Sequence, residues 1–409
     1  MAEPTNESLG QPFFVVHVVW HPECVLGKVI ADALMHHFRR DIYRNIVGGN
    51  GIPVVFRSAC LPEAGTPIPV SLNDSETSAT IVILDEHLVS SDEWLDYVQR
   101  ISAQVKEFSR EGFKRMLFPV SIQREVLAKS SVAQQALRWD TWEGDDDAKV
   151  QQLRRELTYE FCRMLRYNLA QLEVPTERKI DEYLKKVQVF LSHSKHDDEG
   201  AEIAKAIRLR IYQGHGLASF FDVHDIPAGL HFDEVLLHQV RVSAMVAIHT
   251  DSYSSREWCR KEIIEAKTWN VPLVIANSIS TVDERSFPYM GNVPLVRLGH
   301  DATDAGRIDI VVGRLLEEVL KDYLWRCQTH EIRATLPVRA IFIPRPPELI
   351  SLSCIPMVFP EDQEGSAPQD LVLIYPDPPL NTEEERLLSR VAPHVQIRSL
   401  NEWKAGAFR

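Results

Sequence analysis

No CxxC pair and no HExxH motif occurs in this chain. The six cysteines, at 24, 60, 162, 259, 327 and 354, are scattered. That distribution suits reduced cytosolic thiols and argues against a disulfide framework or a zinc module. No apolar run approaches the roughly 20 residues that a membrane-spanning helix needs. Positive charge is in deficit: 45 Lys and Arg stand against 58 Asp and Glu, a net charge of −13. No general affinity for nucleic acid or for an anionic membrane is expected from such a balance. The segment Met1–Gly10 carries Glu3 and Glu7 and no base, so it does not read as a secretory leader. These absences predict a cytoplasmic protein. No GxGxxG follows a predicted strand, which removes the usual fingerprint of a dinucleotide held as cofactor.

What is present is the composition of a globular protein, 44% hydrophobic and 25% charged over 409 residues, enough for two to four domains. Residues 11–173 alternate buried-type strands with helices. Apolar runs at Phe13–Trp20, Ile52–Phe56, Ala79–Leu84 and Arg115–Val120 read as strands. Helical patterns follow through Val25, Ile30, Leu34 and Phe38, around Trp94, and from Lys149 to Leu172. The acidic run Glu143–Asp147 suits the start of that last helix. Val174-Pro175-Thr176 reads as a boundary. The pattern then recurs across residues 183–330. Strands are expected at Val187–Leu191, Ala218–Phe221, Ala244–Ile248 and Val271–Ala276. Helices are expected at Glu202–Ile211, Phe232–Val240, from Ser254 onward, and at Ile308–Cys327. The fold class is therefore α/β: two tandem parallel sheets flanked by helices, with flavodoxin-like order. Residues 331–409 are rich in proline and end in a small β-α-β segment: a strand at Leu371–Tyr375, a helix opened by a Thr382/Glu385 capping box, and a strand at Val395–Ile397. Such a unit is too small to stand alone and should serve docking or assembly.

One residue breaks the packing logic. On the helix after Ser254, the residues Trp258, Cys259, Glu262, Ile263 and Ala266 fall on one arc. A carboxylate on an apolar arc must be paired, neutralised or lining a cleft. The chain supplies its own control. Ser90-Ser91-Asp92-Glu93-Trp94 matches Ser254-Ser255-Arg256-Glu257-Trp258 in four of five positions. Four residues past each Trp stand Val98 and Glu262. Packing alone thus accepts an apolar residue in this slot, which points to a functional role for Glu262.

Three segments of the second copy carry a resemblance to a family. Val187-Gln188-Val189-Phe190-Leu191-Ser192-His193-Ser194 resembles the first strand of a TIR (Toll/interleukin-1 receptor) domain. Phe221-Asp222 followed by Asp225-Ile226-Pro227-Ala228-Gly229 resembles the second strand and its BB loop. The WCxxE core of Ser255–Glu262 resembles the helix that carries the catalytic glutamate in enzymatic members. The first copy resembles the same fold more weakly. It has Trp20-His21-Pro22 at the strand end and Val98 at the glutamate position, which implies a degenerate, non-catalytic domain.

The resemblance implies an NAD⁺ glycohydrolase that releases nicotinamide and ADP-ribose, with Glu262 as the catalytic carboxylate. Ser192, His193, Phe221, Asp222, Ile226, Ala228 and Trp258 would line the substrate site. NAD⁺ would be a substrate, and no cofactor or metal is expected. Self-association through the TIR domains would switch activity on, with a sensor or activator protein as a possible partner, and the biological setting would be immune or antiphage defence. A cyclase forming cyclic ADP-ribose would use the same residues. A non-enzymatic adaptor would need only the loop and helices for assembly. The histidines crowded between 193 and 249 lack a metal-binding spacing, and Cys259 has no His partner in sequence that would make it a nucleophile.

Overall fold

The computed structural model describes residues 11–39, 49–62, 65–108, 112–130, 132, 134–173, 179–213, 217–221, 232–281, 287–335, 339–353, 355 and 371–406. The boundary segment at Val174, the loop Asp225–Gly229 and Met1–Gly10 lie outside them. The chain divides into two compact units, residues 1–184 and 185–409.

In the first unit, β1 (Phe14–Val19), β2 (Val54–Arg57), β3 (Thr77–Leu84) and β4 (Arg115–Ser121) form a parallel sheet in the order β2-β1-β3-β4. Strands β1 and β3 are buried along their whole length, as expected of central parallel strands covered on both faces. Helices α1 (Val25–Phe38), α2 (Glu86–Ser90), α3 (Asp92–Phe108), α4 (Val126–Ser130), α5 (Asp146–Glu173) and α6 (Lys179–Leu184) accompany it. The acidic run before α5 caps it, Asp145 accepting from the Ala148 amide at 2.9 Å. Trp94, Tyr97, Val98 and Ile101 of α3 share one apolar cluster with Val19, Val82, Leu84, Val89 and Leu117.

The second unit repeats that order and extends it. Its strands are β5 (Val187–Ser192), β6 (Leu217–Phe221), β7 (Ala244–His249), β8 (Leu273–Asn277) and β9 (Leu295–Arg297). They form a parallel sheet β6-β5-β7-β8-β9, the flavodoxin-like order. Its helices are α7 (Asp198–Gln213), α8 (Phe232–Val242), α9 (Glu257–Thr268) and α10 (Ala305–Thr335). Phe190, Met245, Ala247, Leu273 and Ile275 cluster with Leu236 and Val240 of α8 and with Cys259, Ile263 and Ala266 of α9. Side chains alternate along a strand, so these residues mark the sheet face that α8 and α9 cover. Ser192 is two positions past Phe190 and therefore shares that face.

The end of the chain differs from the expectation of a lone β-α-β. Strands β10 (Ala340–Phe342), β11 (Leu371–Tyr375) and β12 (Val395–Ser399) make a three-stranded parallel sheet in chain order. Helices α11 (Leu349–Ser353), α12 (Thr382–Val391) and α13 (Leu400–Lys404) attend it. Strands β9 and β10 span three residues each, too short for a hydrophobic period to reveal. The capping box of α12 is shifted by one from the expected pair. Asn381 accepts from the amides of Glu383 and Glu384, and Glu384 reaches back to the Asn381 amide at 3.0 Å. Asparagine is at least as good a cap as threonine, and the Asn381/Glu384 spacing satisfies the same rule.

The small sheet is anchored within its unit. Val372 and Ile374 cluster with Trp325 of α10 and with Leu400. Lys267, at the end of α9, donates to Glu348 at 2.5 Å and to the Gly291 carbonyl at 2.6 Å. Arg345 donates to the Val271 carbonyl at 3.0 Å. Among the described residues, no helix is long and apolar enough to cross a membrane.

Candidate active site

The second sheet has its switch point between β5 and β7. From β5 the chain crosses to β6 on one side, then returns over β5 to β7 on the other. In open α/β sheets ligands settle outside the strand ends at this crevice. Ser192 ends β5, in register with Ala247 of β7. Glu262, in the middle of α9, reaches this strand end.

Helix α9 begins at Glu257, three residues later than the sequence suggests, because 251–255 form turns. Within those turns Ser254 is buried and lies 3.0 Å from His249 Nε2 at the end of β7. The helical arc holds as expected, with Cys259, Glu262, Ile263 and Ala266 buried and Trp258 half-buried. The side chain of Glu262 is thus carried into the core face, among groups that cannot solvate it.

Its solvation comes from a hydroxyl chain. Ser192 Oγ donates to Glu262 Oε2, and Tyr253 Oη lies 2.6 Å from Ser192 Oγ. Ser192 has a single proton. When Ser192 gives it to the carboxylate, Tyr253 must be the donor to Ser192. Tyr253 is fitted to that part, because burial holds its phenol well above the ordinary value and keeps it protonated. Were Glu262 protonated, the chain could reverse, the carboxyl donating to Ser192 and Ser192 to Tyr253.

Burial raises the Glu262 carboxyl from 4.5 to about 7. The Ser192 hydrogen bond and the Lys195 charge pull it back. A carboxylate poised near neutrality, buried and held by an ordered hydroxyl at a strand-end crevice has the marks of a reacting group. It can stabilise developing positive charge or accept a proton.

His193 follows Ser192 at the strand end and is half-buried, its Nδ1 3.3 Å from the Ser194 carbonyl. Trp258 packs at the edge of the core cluster, with Lys261 Nζ 4.6 Å from its ring centroid. Phe221 ends β6 opposite Phe190. Asp222, Ile226 and Ala228 lie outside the described residues. His249 is one of the crowded histidines, whereas nothing local in the sequence singles out Tyr253. Tyr253 sits five residues before Trp258, and only the partly matching repeat, with Val89 at the same place, marks it as unusual.

Cys259 is no rival nucleophile. Burial first, and then the neighbouring Glu262, push its thiol up to about 12, so the thiolate is scarce at neutral pH. Asp197, just past β5, accepts from Ser252 at 2.9 Å and from the Gly200 amide at 3.1 Å. These bonds tie the turns before α9 to the start of α7.

Residues 189–304 match the model of the TIR domain. That span holds Ser192, Tyr253 and Glu262. No curated protein matches the chain. One solved structure aligned to it, named for a phosphosugar isomerase from Silicibacter pomeroyi DSS-3, is 9% identical over 76% of this chain and 86% of that one. Its TM-score is 0.19, too low to bear on fold or function.

Proposed function

We propose that the TIR domain within residues 189–304 cleaves the nicotinamide–ribose bond of NAD⁺, with Glu262 as the catalytic carboxylate. The observation that supports this most is the buried hydroxyl chain Tyr253–Ser192–Glu262 at the switch point of the sheet. Cleavage of an N-glycosidic bond develops oxocarbenium character on the ribose, as in glycoside hydrolysis. The nicotinamide leaves as a neutral base, so no general acid is required. One ionised carboxylate next to the ribose suffices to stabilise the charge or to bind its hydroxyls. Ser192 holds the Glu262 carboxylate in one orientation and favours its ionised form. Burial strengthens the attraction to the developing cation, and after nicotinamide departs a water adds to the ribose C1′ and loses its proton, giving ADP-ribose.

Around Glu262, His193 and Phe221 stand at the strand ends, and Asp222, Ile226 and Ala228 follow β6 in sequence. Trp258 offers an aromatic wall. TIR domains commonly self-associate, and we assign activation of this chain to assembly of its TIR domains, with a sensor or activator protein as the trigger and defence against infection as the setting. The first unit, with its apolar slot at Val98, would then be a TIR-like docking domain without catalysis. Incubating the concentrated full chain with NAD⁺ and resolving the products by chromatography tests the reading. Equal amounts of nicotinamide and ADP-ribose are expected. Nicotinamide with a cyclic nucleotide would move the assignment to a cyclase, and unchanged NAD⁺ at any protein concentration would leave an adaptor.

A further inference from the structure

The first unit has its own polar cluster at the crevice where the second carries Ser192 and Glu262. His21 lies two residues past the end of β1, and Glu23 follows it. His87 lies three residues past the end of β3, the strand paired with β1. The order β2-β1-β3-β4 places the switch point between β1 and β3, so all three residues gather where such sheets take ligands. One ligand atom from each lies within 4.8 Å of the other two. His87 Nδ1 is 3.2 Å from Glu23 Oε2. The imidazoles of His21 and His87 stack at 5.7 Å, and the edge of His21 meets Trp94 at 5.4 Å. The Glu23 amide donates to His21 Nδ1 at 3.3 Å, so an ion bound through Nδ1 would displace that bond, and one bound through Nε2 would take the other tautomer.

We propose that His21, Glu23 and His87 bind a divalent transition-metal ion, zinc above all, at the strand-end crevice of the first unit. Two imidazoles and one carboxylate are borderline donors of the kind zinc prefers over magnesium or calcium. Zinc bonds of about 2.0–2.2 Å would require the three donors to draw together and the two stacked imidazoles to rotate until both ring planes meet the ion. The exposure of His87 and Glu23, 51% and 71% of their side chains, leaves them room to do so. Three protein ligands leave a coordination position open, so the bound ion would present a vacant site to water or to an anionic group of a partner. The sequence, without HExxH or CxxC, predicts no metal. This donor set comes from two separate strand ends and has no motif to find.

The competing account is an ordinary imidazolium–carboxylate pair between His87 and Glu23. Zinc binding to the chelator-stripped full chain, measured by competition with a chromophoric chelator, separates the two. Cobalt substitution gives a second, spectroscopic readout of the ligands. Wild type is expected to bind zinc at micromolar concentration or tighter. His87→Ala and Glu23→Gln should each lose that site or weaken it at least about tenfold, with loss of the cobalt bands. Both side chains are exposed, so their replacement should leave the fold intact. His193→Asn, at the other crevice, should keep the site. If further zinc ions bind through other histidines, the loss of one equivalent in His87→Ala still supports the proposal. It is overturned if wild type fails to bind zinc at micromolar concentration, or if His87→Ala and Glu23→Gln bind as wild type does.

Discussion

Ser192, Tyr253 and Glu262 in the second unit stand where the first unit has Val19, Val89 and Val98. Val19 ends β1 as Ser192 ends β5. Val89 and Tyr253 each lie five residues before the tryptophan of the repeated motif, and Val98 and Glu262 each lie four residues after it. In the first unit all three valines belong to one dry cluster. In the second, the three side chains form a hydrogen-bonded chain within an otherwise apolar surround. The same strand order therefore accommodates either solution. The apolar solution needs no compensation, whereas the polar one holds a carboxylate far above its ordinary titration range. Retaining such a group costs stability, and a gain in chemistry accounts for it better than any gain in packing.

The comparison is broken most severely by moving the acid to the unit that cannot hold it. Val98→Glu should lower the first unit's stability by on the order of 3–5 kcal/mol at pH 8, because Val19 stands where Ser192 does and the Tyr97 hydroxyl of the same cluster is already given to the Ile68 carbonyl. Denaturant melts would check this, and a loss below about 1 kcal/mol would mean that Val98 is not the dry counterpart of Glu262.

The reverse change should stabilise. Glu262 titrates near 7 when folded and near 4.5 when unfolded. The folded state therefore binds the extra proton between those values, and wild-type stability falls as pH rises from about 4.5 to 7. Above that window the whole penalty is present. A tenfold difference in proton affinity between the folded and unfolded chain corresponds to about 1.4 kcal/mol, so a rise from 4.5 to about 7 makes Glu262→Gln more stable than wild type at pH 8 by on the order of 3 kcal/mol. The advantage should shrink toward zero near pH 4.5. Melts of both proteins across that range would show it, and an advantage independent of pH would contradict the buried-acid account.

The arrangement of strands and helices was largely legible in the sequence. Long apolar runs such as Phe13–Trp20 mark central strands, and the recurring Ser-Ser-x-Glu-Trp motif marks matching positions in the two units. Glu262 stood out for the same reason, as a charge on an apolar arc. Its partners were harder to see. Nothing local to Ser192 says that it faces α9; that follows from strand alternation once the sheet order is known. Tyr253 lies in turns that carry no period at all. The three-residue strands β9 and β10 fell below any detectable periodicity, and the box at Asn381 was misplaced because Thr382 fits the same consensus one residue later. The cluster of His21, Glu23 and His87 is assembled by strand pairing from distant parts of the chain.

A smaller effect sharpens the contrast. Ser192→Ala removes the donor that lowers the Glu262 titration. The pH profile of kcat/KM should rise through about 7 in wild type, as the carboxylate ionises. In Ser192→Ala its midpoint should move upward by roughly one pH unit, with a several-fold loss of activity at pH 7. A profile that keeps its midpoint would mean that Ser192 does not govern the ionisation of Glu262.

Glu262 serves reaction and not packing if its loss removes activity and leaves the fold. The most direct measurement is nicotinamide release from NAD⁺ by the concentrated full chain, wild type beside Glu262→Gln, with melts run in parallel. The account predicts that the variant remains folded and loses activity by at least about a thousandfold, the scale on which an essential electrostatic partner acts. A folded Glu262→Gln protein that releases nicotinamide as fast as wild type would contradict it.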